Sequence, residues 1–106
     1  SDIFSLQIIF CDGSIGTIHY FANGSKSFPK ERLEVFVSGK VFRLDNYRKL
    51  KAWGIPGFIT KRSFSQDKGQ LLCAKSFLSA LETGKAPIPV DELFEVQDWL
   101  NKVLEI

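Results

Sequence analysis

The chain has 106 residues, enough for one domain with a real core and too few to hold a nucleotide-binding unit and a substrate unit together. Fourteen basic residues against twelve acidic ones give a formal net charge of +2 spread along the chain, which makes no electrostatic case for nucleic acid. No run approaches the roughly 18 apolar residues of a membrane span, and no basic start followed by an apolar stretch marks a signal peptide, so a soluble chain with no membrane partner is expected.

Residues 4–10 place Phe4, Leu6, Ile8 and Phe10 on one side and Ser5 and Gln7 on the other, the alternation of a half-buried strand. Asp12-Gly13 supplies a turn. Residues 15–21 then return with Ile15, Thr17, His19 and Phe21 on one side and Gly16, Ile18 and Tyr20 on the other, which completes a hairpin and leaves open which side faces the core. After a polar stretch, Leu33, Val35 and Val37 alternate with Glu34 and Phe36, Ser38-Gly39-Lys40 turns the chain, and Val41 to Leu44 comes back as a second hairpin. A further strand is expected over 46–53, with Arg48, Lys49 and Lys51 among its residues. Gly54-Ile55-Pro56-Gly57 interrupts, and 58–64 alternates once more.

From Asp67 the period changes to that of a helix. Leu71, Ala74, Phe77, Leu78 and Leu81 recur on one side, Asp67 is placed to cap the first turn, and Gly84 suits the left-handed residue just past the end. Pro87 and Pro89 break the chain. A second helix follows, with Asp91 and Glu92 at the positive end of its dipole and an apolar stripe of Leu93, Val96, Leu100, Val103 and Leu104.

Consecutive antiparallel strands followed by helices predict an α+β fold: an open, mostly antiparallel sheet of two hairpins plus one or two further strands, with two C-terminal helices packed on one face. The whole chain, 1–106, reads as a single such domain. Apolar and aromatic residues on both sides of the sheet predict a homo-oligomer formed through the uncovered sheet face. Cys11 and Cys73 read as residues of an apolar strand and an apolar helix, two small packing groups with no disulfide framework, which fits a reducing cytoplasm. The sequence contains no methionine, even at position 1, which points to one domain of a longer protein.

The loop Ala22 to Glu31 between the hairpins is the strongest candidate for ligand contact, because strands hold it and its groups are polar. Asn23 donates and accepts, Ser25 adds a hydroxyl, Lys26 adds a cation on a flexible stem, and Tyr20 ends the preceding strand with a phenol. A polyhydroxylated or anionic small molecule would find partners among these four. Asn-Gly is also a common turn pair, and an exposed lysine is ordinarily only solvated. His19 is the only histidine and lacks companions at metal-ligand spacing, so no metal site is expected and the ring is read as a sheet-surface hydrogen-bonding group. No catalytic group is assigned within these residues.

Gly13-Ser14-Ile15-Gly16 lies between two strands, whereas a phosphate-binding glycine run must lead from a strand into a helix. Arg43, Arg48, Lys49, Lys51, Lys61 and Arg62, with Tyr47, Trp53 and Phe58 among them, combine charge with aromatic rings as single-strand binders do. The acidic residues elsewhere and the strand alternation favour a solvated outer face, and no nucleic-acid partner is expected.

The run Phe10 to Gly24, FCDGSIGTIHYFANG, continued by SKSFPKE over 25–31 and by Glu34-Val35-Phe36, resembles the C-terminal domain of oxidoreductases of the glucose-fructose oxidoreductase/inositol dehydrogenase (Gfo/Idh/MocA) type. Within that group it is most similar to the long bacterial enzymes in which this unit follows an alcohol-dehydrogenase-like half. Leu44 to Leu50 and Gln66 to Gly69 extend the resemblance over nearly the whole chain, with one departure, Gln70 where the branch often has histidine. The resemblance implies an open antiparallel sheet that forms one wall of the substrate site and often the oligomer interface. It also implies that NAD or NADP and the proton-transfer lysine belong to the Rossmann domain of the parent chain, which these residues do not include. The 106 residues would then bind no cofactor and be inactive alone. The alternative reading is a non-enzymatic protein-interaction module using its sheet face.

Overall fold

A computed structural model describes residues 2–105. The element order is β1 (Ile3–Ile9), β2 (Ile15–Phe21), β3 (Arg32–Val37), β4 (Lys40–Asp45), β5 (Lys49–Trp53), β6 (Lys61–Arg62), α1 (Gln70–Thr83) and α2 (Val90–Leu104). The chain divides into two compact units, residues 1–66 with all the strands and residues 67–106 with both helices. The architecture is α+β with open antiparallel sheets, and among the described residues no helix is long and apolar enough to cross a membrane.

The two hairpins stand where the alternation places them, but they form separate sheets: β1 pairs only with β2, while β3, β4, β5 and β6 make a four-stranded sheet in sequence order. Between Ile9 and Ile15 the chain reverses through Phe10 to Gly13, closed by the Gly13 amide donating to the Phe10 carbonyl at 3.0 Å, with Gly13 at φ 86. This is the three-residue hairpin loop that calls for glycine in the left-handed position. Asp12 Oδ1 accepts the Ser14 amide at 2.9 Å, and that backbone hydrogen bond holds its carboxyl below the ordinary value. Cys11 therefore sits in the turn and is exposed, as is Cys73 in α1, so neither is the buried packing group that the sequence predicts.

Register assigns the faces that alternation leaves open. Phe4 opposes Tyr20, Leu6 opposes Ile18 and Ile8 opposes Gly16, so one face of the first hairpin is apolar. The rings of Phe4 and Tyr20 stack at 5.3 Å, and the Phe10 ring approaches Gly16 on the side where a β-carbon would stand. The opposite face carries Ser5 against His19 and Gln7 against Thr17.

The β3–β4 turn uses only two residues, Ser38 (φ 48) and Gly39 (φ 74), both left-handed, which matches the twist of the strands they join. One face of the four-stranded sheet collects Leu33, Val35, Phe42, Leu44, Leu50 and Ala52. The central strands β4 and β5 are mostly half-buried, while β3 at the edge is exposed throughout. The strand expected over 46–53 begins only at Lys49, because Asn46 (φ 51) and Tyr47 (φ 53) adopt left-handed turn geometry and the Arg48 amide closes the turn on the Asp45 carbonyl at 3.0 Å. The segment 58–64 pairs only at Lys61 and Arg62: Gly57 at φ 76 and the Phe58 amide bonded to the Ile55 carbonyl keep the chain in a turn before it.

In the second unit, α1 starts later than the sequence predicts. Asp67 does not cap the helix; its Oδ1 accepts the Gly69 amide at 2.9 Å, and the left-handed Gly69 (φ 81) precedes the first helical residue. Gly84 takes the left-handed position past the end and returns its amide to the Ala80 carbonyl at 2.8 Å. α2 opens behind Pro89 with Asp91 and Glu92 in its first turn. The two helices do not pack on one another, and no described side chain of the chain reaches full burial.

Candidate functional site

The loop between the hairpins is clamped at both ends by hydrogen bonds that extend the strand ladders. The Ala22 amide donates to the Asp2 carbonyl at 2.9 Å, continuing β1–β2, and the Asn46 amide donates to the Glu31 carbonyl at 2.7 Å, continuing β3–β4. Gln66 Nε2 donates to Asn46 Oδ1, holding the side chain of the same turn residue. The intervening residues are thereby carried by two sheets. Within the loop, the Phe28 amide closes a turn on the Ser25 carbonyl at 3.0 Å, and Lys26 is the first residue inside that turn.

Tyr20, Asn23, Ser25 and Lys26 all border one concavity, together with His19, Lys30, Arg32 and Tyr47. It spans about 1190 Å³ and is open; of its lining, only Glu31 and Leu44 are half-buried and the rest is exposed. Sites that enclose a small ligand run to roughly 300–1,000 Å³ and bury most of its surface, so this surface is an open concavity rather than an enclosure.

The four residues differ in what they have free to offer. The Ser25 hydroxyl lies 2.9 Å from the Ser27 hydroxyl and accepts the Ser27 amide at 3.3 Å, so its first task is local: it shapes the turn. The Tyr20 ring is committed to Phe4, on which it stacks at 5.3 Å. Lys26 makes no ion pair among the described residues. His19 Nδ1 lies 2.8 Å from Ser5 Oγ across the hairpin and the ring stacks on Phe21 at 5.9 Å, which is a sheet-surface arrangement. Among the described residues no cluster of three or more histidine, cysteine or carboxylate side chains is placed to hold a metal ion. Gly13 to Gly16 runs from the hairpin turn into β2, so no helix N-terminus follows it to receive a pyrophosphate.

Tyr47 and Arg32 enter the site only in three dimensions. The Asn46-Tyr47 turn brings the first, and Arg32 is held there because its Nε donates to Asp45 Oδ1 at 3.0 Å. Asp45 also accepts from Arg43 Nε at 3.2 Å through Oδ2. Desolvation pushes the Asp45 carboxyl up, but the Arg32 hydrogen bond and the charges of Arg43 and Arg32 outweigh it, and the carboxyl sits below its ordinary value.

The basic and aromatic segment divides. Arg43, Lys49, Lys51, Arg62 and Trp53 share one face of the four-stranded sheet, Lys61 falls on the opposite face and Arg48 stands in the turn. Comparison of the chain with protein-family models, with curated proteins and with solved structures finds no match in any of the three.

Proposed function

We propose that these residues form the substrate-side and oligomerisation domain of an NAD(P)-dependent oxidoreductase of the Gfo/Idh/MocA type, whose parent chain transfers hydride between a nicotinamide and a sugar-like or cyclic alcohol. The observation that carries the reading is a loop clamped at both ends by strand ladders, which presents amide, hydroxyl and ammonium groups along an open wall. A wall of this kind binds and orients a polyol when a second domain closes over it. Asn23 is suited to pair with neighbouring hydroxyls through both ends of its amide, Tyr20 adds a phenol, and Lys26 adds positive charge. Hydride chemistry is assigned to NAD or NADP held by the Rossmann domain of the same parent, and these residues position the substrate toward it.

The apolar faces of the two sheets serve the second half of the role. Among the described residues Leu33, Val35 and Val37 are left 58%, 42% and 50% exposed, so a second copy is proposed to cover that face in the assembled, cytoplasmic enzyme. Translation of the reading frame upstream of Ser1 tests the proposal. A strand, a glycine-rich turn and a helix in Rossmann order are expected there, and a frame without them overturns the reading in favour of a non-enzymatic interaction module.

A further inference from the structure

Strand register concentrates charge on the face of the four-stranded sheet opposite its apolar side. Arg32, Asp45, Lys49 and Arg62 form one cross-strand row, and Glu34, Arg43 and Lys51 form the next. Both carboxylates are engaged: Asp45 holds Arg32 and Arg43, and Glu34 lies 4.0 Å from Arg43. Lys49, Lys51 and Arg62 make no ion pair within 4.0 Å among the described residues, although Asp45, across the strand pair from Lys49, still favours the charged form of that lysine. Their mutual repulsion lowers the Lys49 pKa, with Lys51 the largest cause and Arg62 next. A third row, Phe36, Val41 and Trp53, borders the charges with apolar surface.

We propose that this face docks an acidic helical segment of a partner protein, its carboxylates set against Lys49, Lys51 and Arg62 and its flank against Phe36 and Trp53. Three features favour a protein over a nucleic acid. A protein that makes on the order of 6–10 phosphate contacts draws on as many cations, and only three here lie outside an ion pair. Glu34 and Asp45 lie within the charged rows and repel a continuous line of phosphates. Arg43 already lies over the Trp53 ring, 5.6 Å from its centroid, which takes one ring face from base stacking while the 46% exposed indole still offers apolar flank. The spacing suits a helix: Lys49 and Lys51, two residues apart on one strand, have backbones about 6.6 Å apart, close to the ~5–6 Å between side chains on one helix face.

The test is fluorescence anisotropy of a labelled helical peptide bearing three glutamates at i, i+4 and i+7, titrated with the full chain at low and at physiological salt. Saturable binding that weakens with salt is expected, with a loss of about tenfold in Lys49→Glu/Lys51→Glu and none in Lys85→Glu. If the double variant loses its circular-dichroism signature, Lys51→Gln is read instead, with a smaller loss expected in the same direction. No binding at low salt, equal binding by the variants, or tighter binding of a single-stranded oligonucleotide of matched length overturns the proposal.

Discussion

The carbonyl oxygen of Gly39 occupies the space where a β-carbon on Gly54 would stand, with Lys40 Cα a further 3.2 Å neighbour. The end of β5 and the β3–β4 turn therefore meet backbone to backbone, and Gly54 also holds φ 76. Gly54→Ala combines a clash against backbone with left-handed strain, and a loss of about 2–4 kcal/mol is expected in urea unfolding. Gly39→Ala, with φ 74 but open space around it, should cost only about 1 kcal/mol. Equal effects from the two would show that the Gly39–Gly54 approach does not constrain the sheet.

Asp45 gives the first unit an acid-sensitive joint. Because its folded carboxyl lies below the ordinary 3.8, its contribution is fully present above the unfolded value and is lost as pH falls through the folded one. Asp45→Asn should cost on the order of 1 kcal/mol at neutral pH and flatten the acid limb of stability against pH. Carbon-13 titration of the side-chain carboxyls, with the Asp45 midpoint below 3.8, is the direct measurement.

In the parent oxidoreductase proposed above, Asn23→Ala and Lys26→Ala should raise KM by about tenfold each, the size of one lost hydrogen bond or charge contact to a ligand, while leaving the thermal midpoint unchanged. Ser25→Ala should differ, since its hydroxyl is spent within the turn: thermal stability should fall slightly and KM follow from the displaced loop. A Ser25 variant with wild-type stability and a selectively raised KM would place that hydroxyl on the substrate instead.

Light scattering of the 106-residue chain at two concentrations and two salt levels separates the two surfaces of the four-stranded sheet. Pairing through the row of Leu33, Leu44 and Leu50 gives a dimer or larger species that persists at high salt. A monomer under all conditions would count against self-association through that face.

Both hairpins, both helices and the glycine that ends α1 are legible in the sequence, because period-two and 3.6-residue patterns and glycine turns are local signals. The division into two sheets is not, since alternation at Phe4 to Phe10 looks the same whichever strand lies alongside. Asp67 illustrates a second limit: an aspartate two residues before a glycine serves an Asx turn as readily as a helix cap, and the choice rests on Gly69 adopting φ 81. Asn23, Ser25 and Lys26 are legible as a polar loop, but the clamp that holds it depends on Asp2 and Asn46, which lie far away in sequence. Tyr47 was hidden for the same reason, because nothing local marks a tyrosine for positive φ.

Among the described residues β3 lies at the end of its sheet with no strand beyond it, and β6 covers only Lys49 and Leu50 of β5 at the other end. The backbone donors and acceptors of Arg32, Glu34 and Phe36, which point away from β4, are therefore open to any extended chain. Arg32 and Glu34 are the charges that guard this edge against fibrous growth. Neutralising both should turn a concentrated solution of the chain toward thioflavin-positive aggregates, a hazard that assembly or added charge along the strand would suppress.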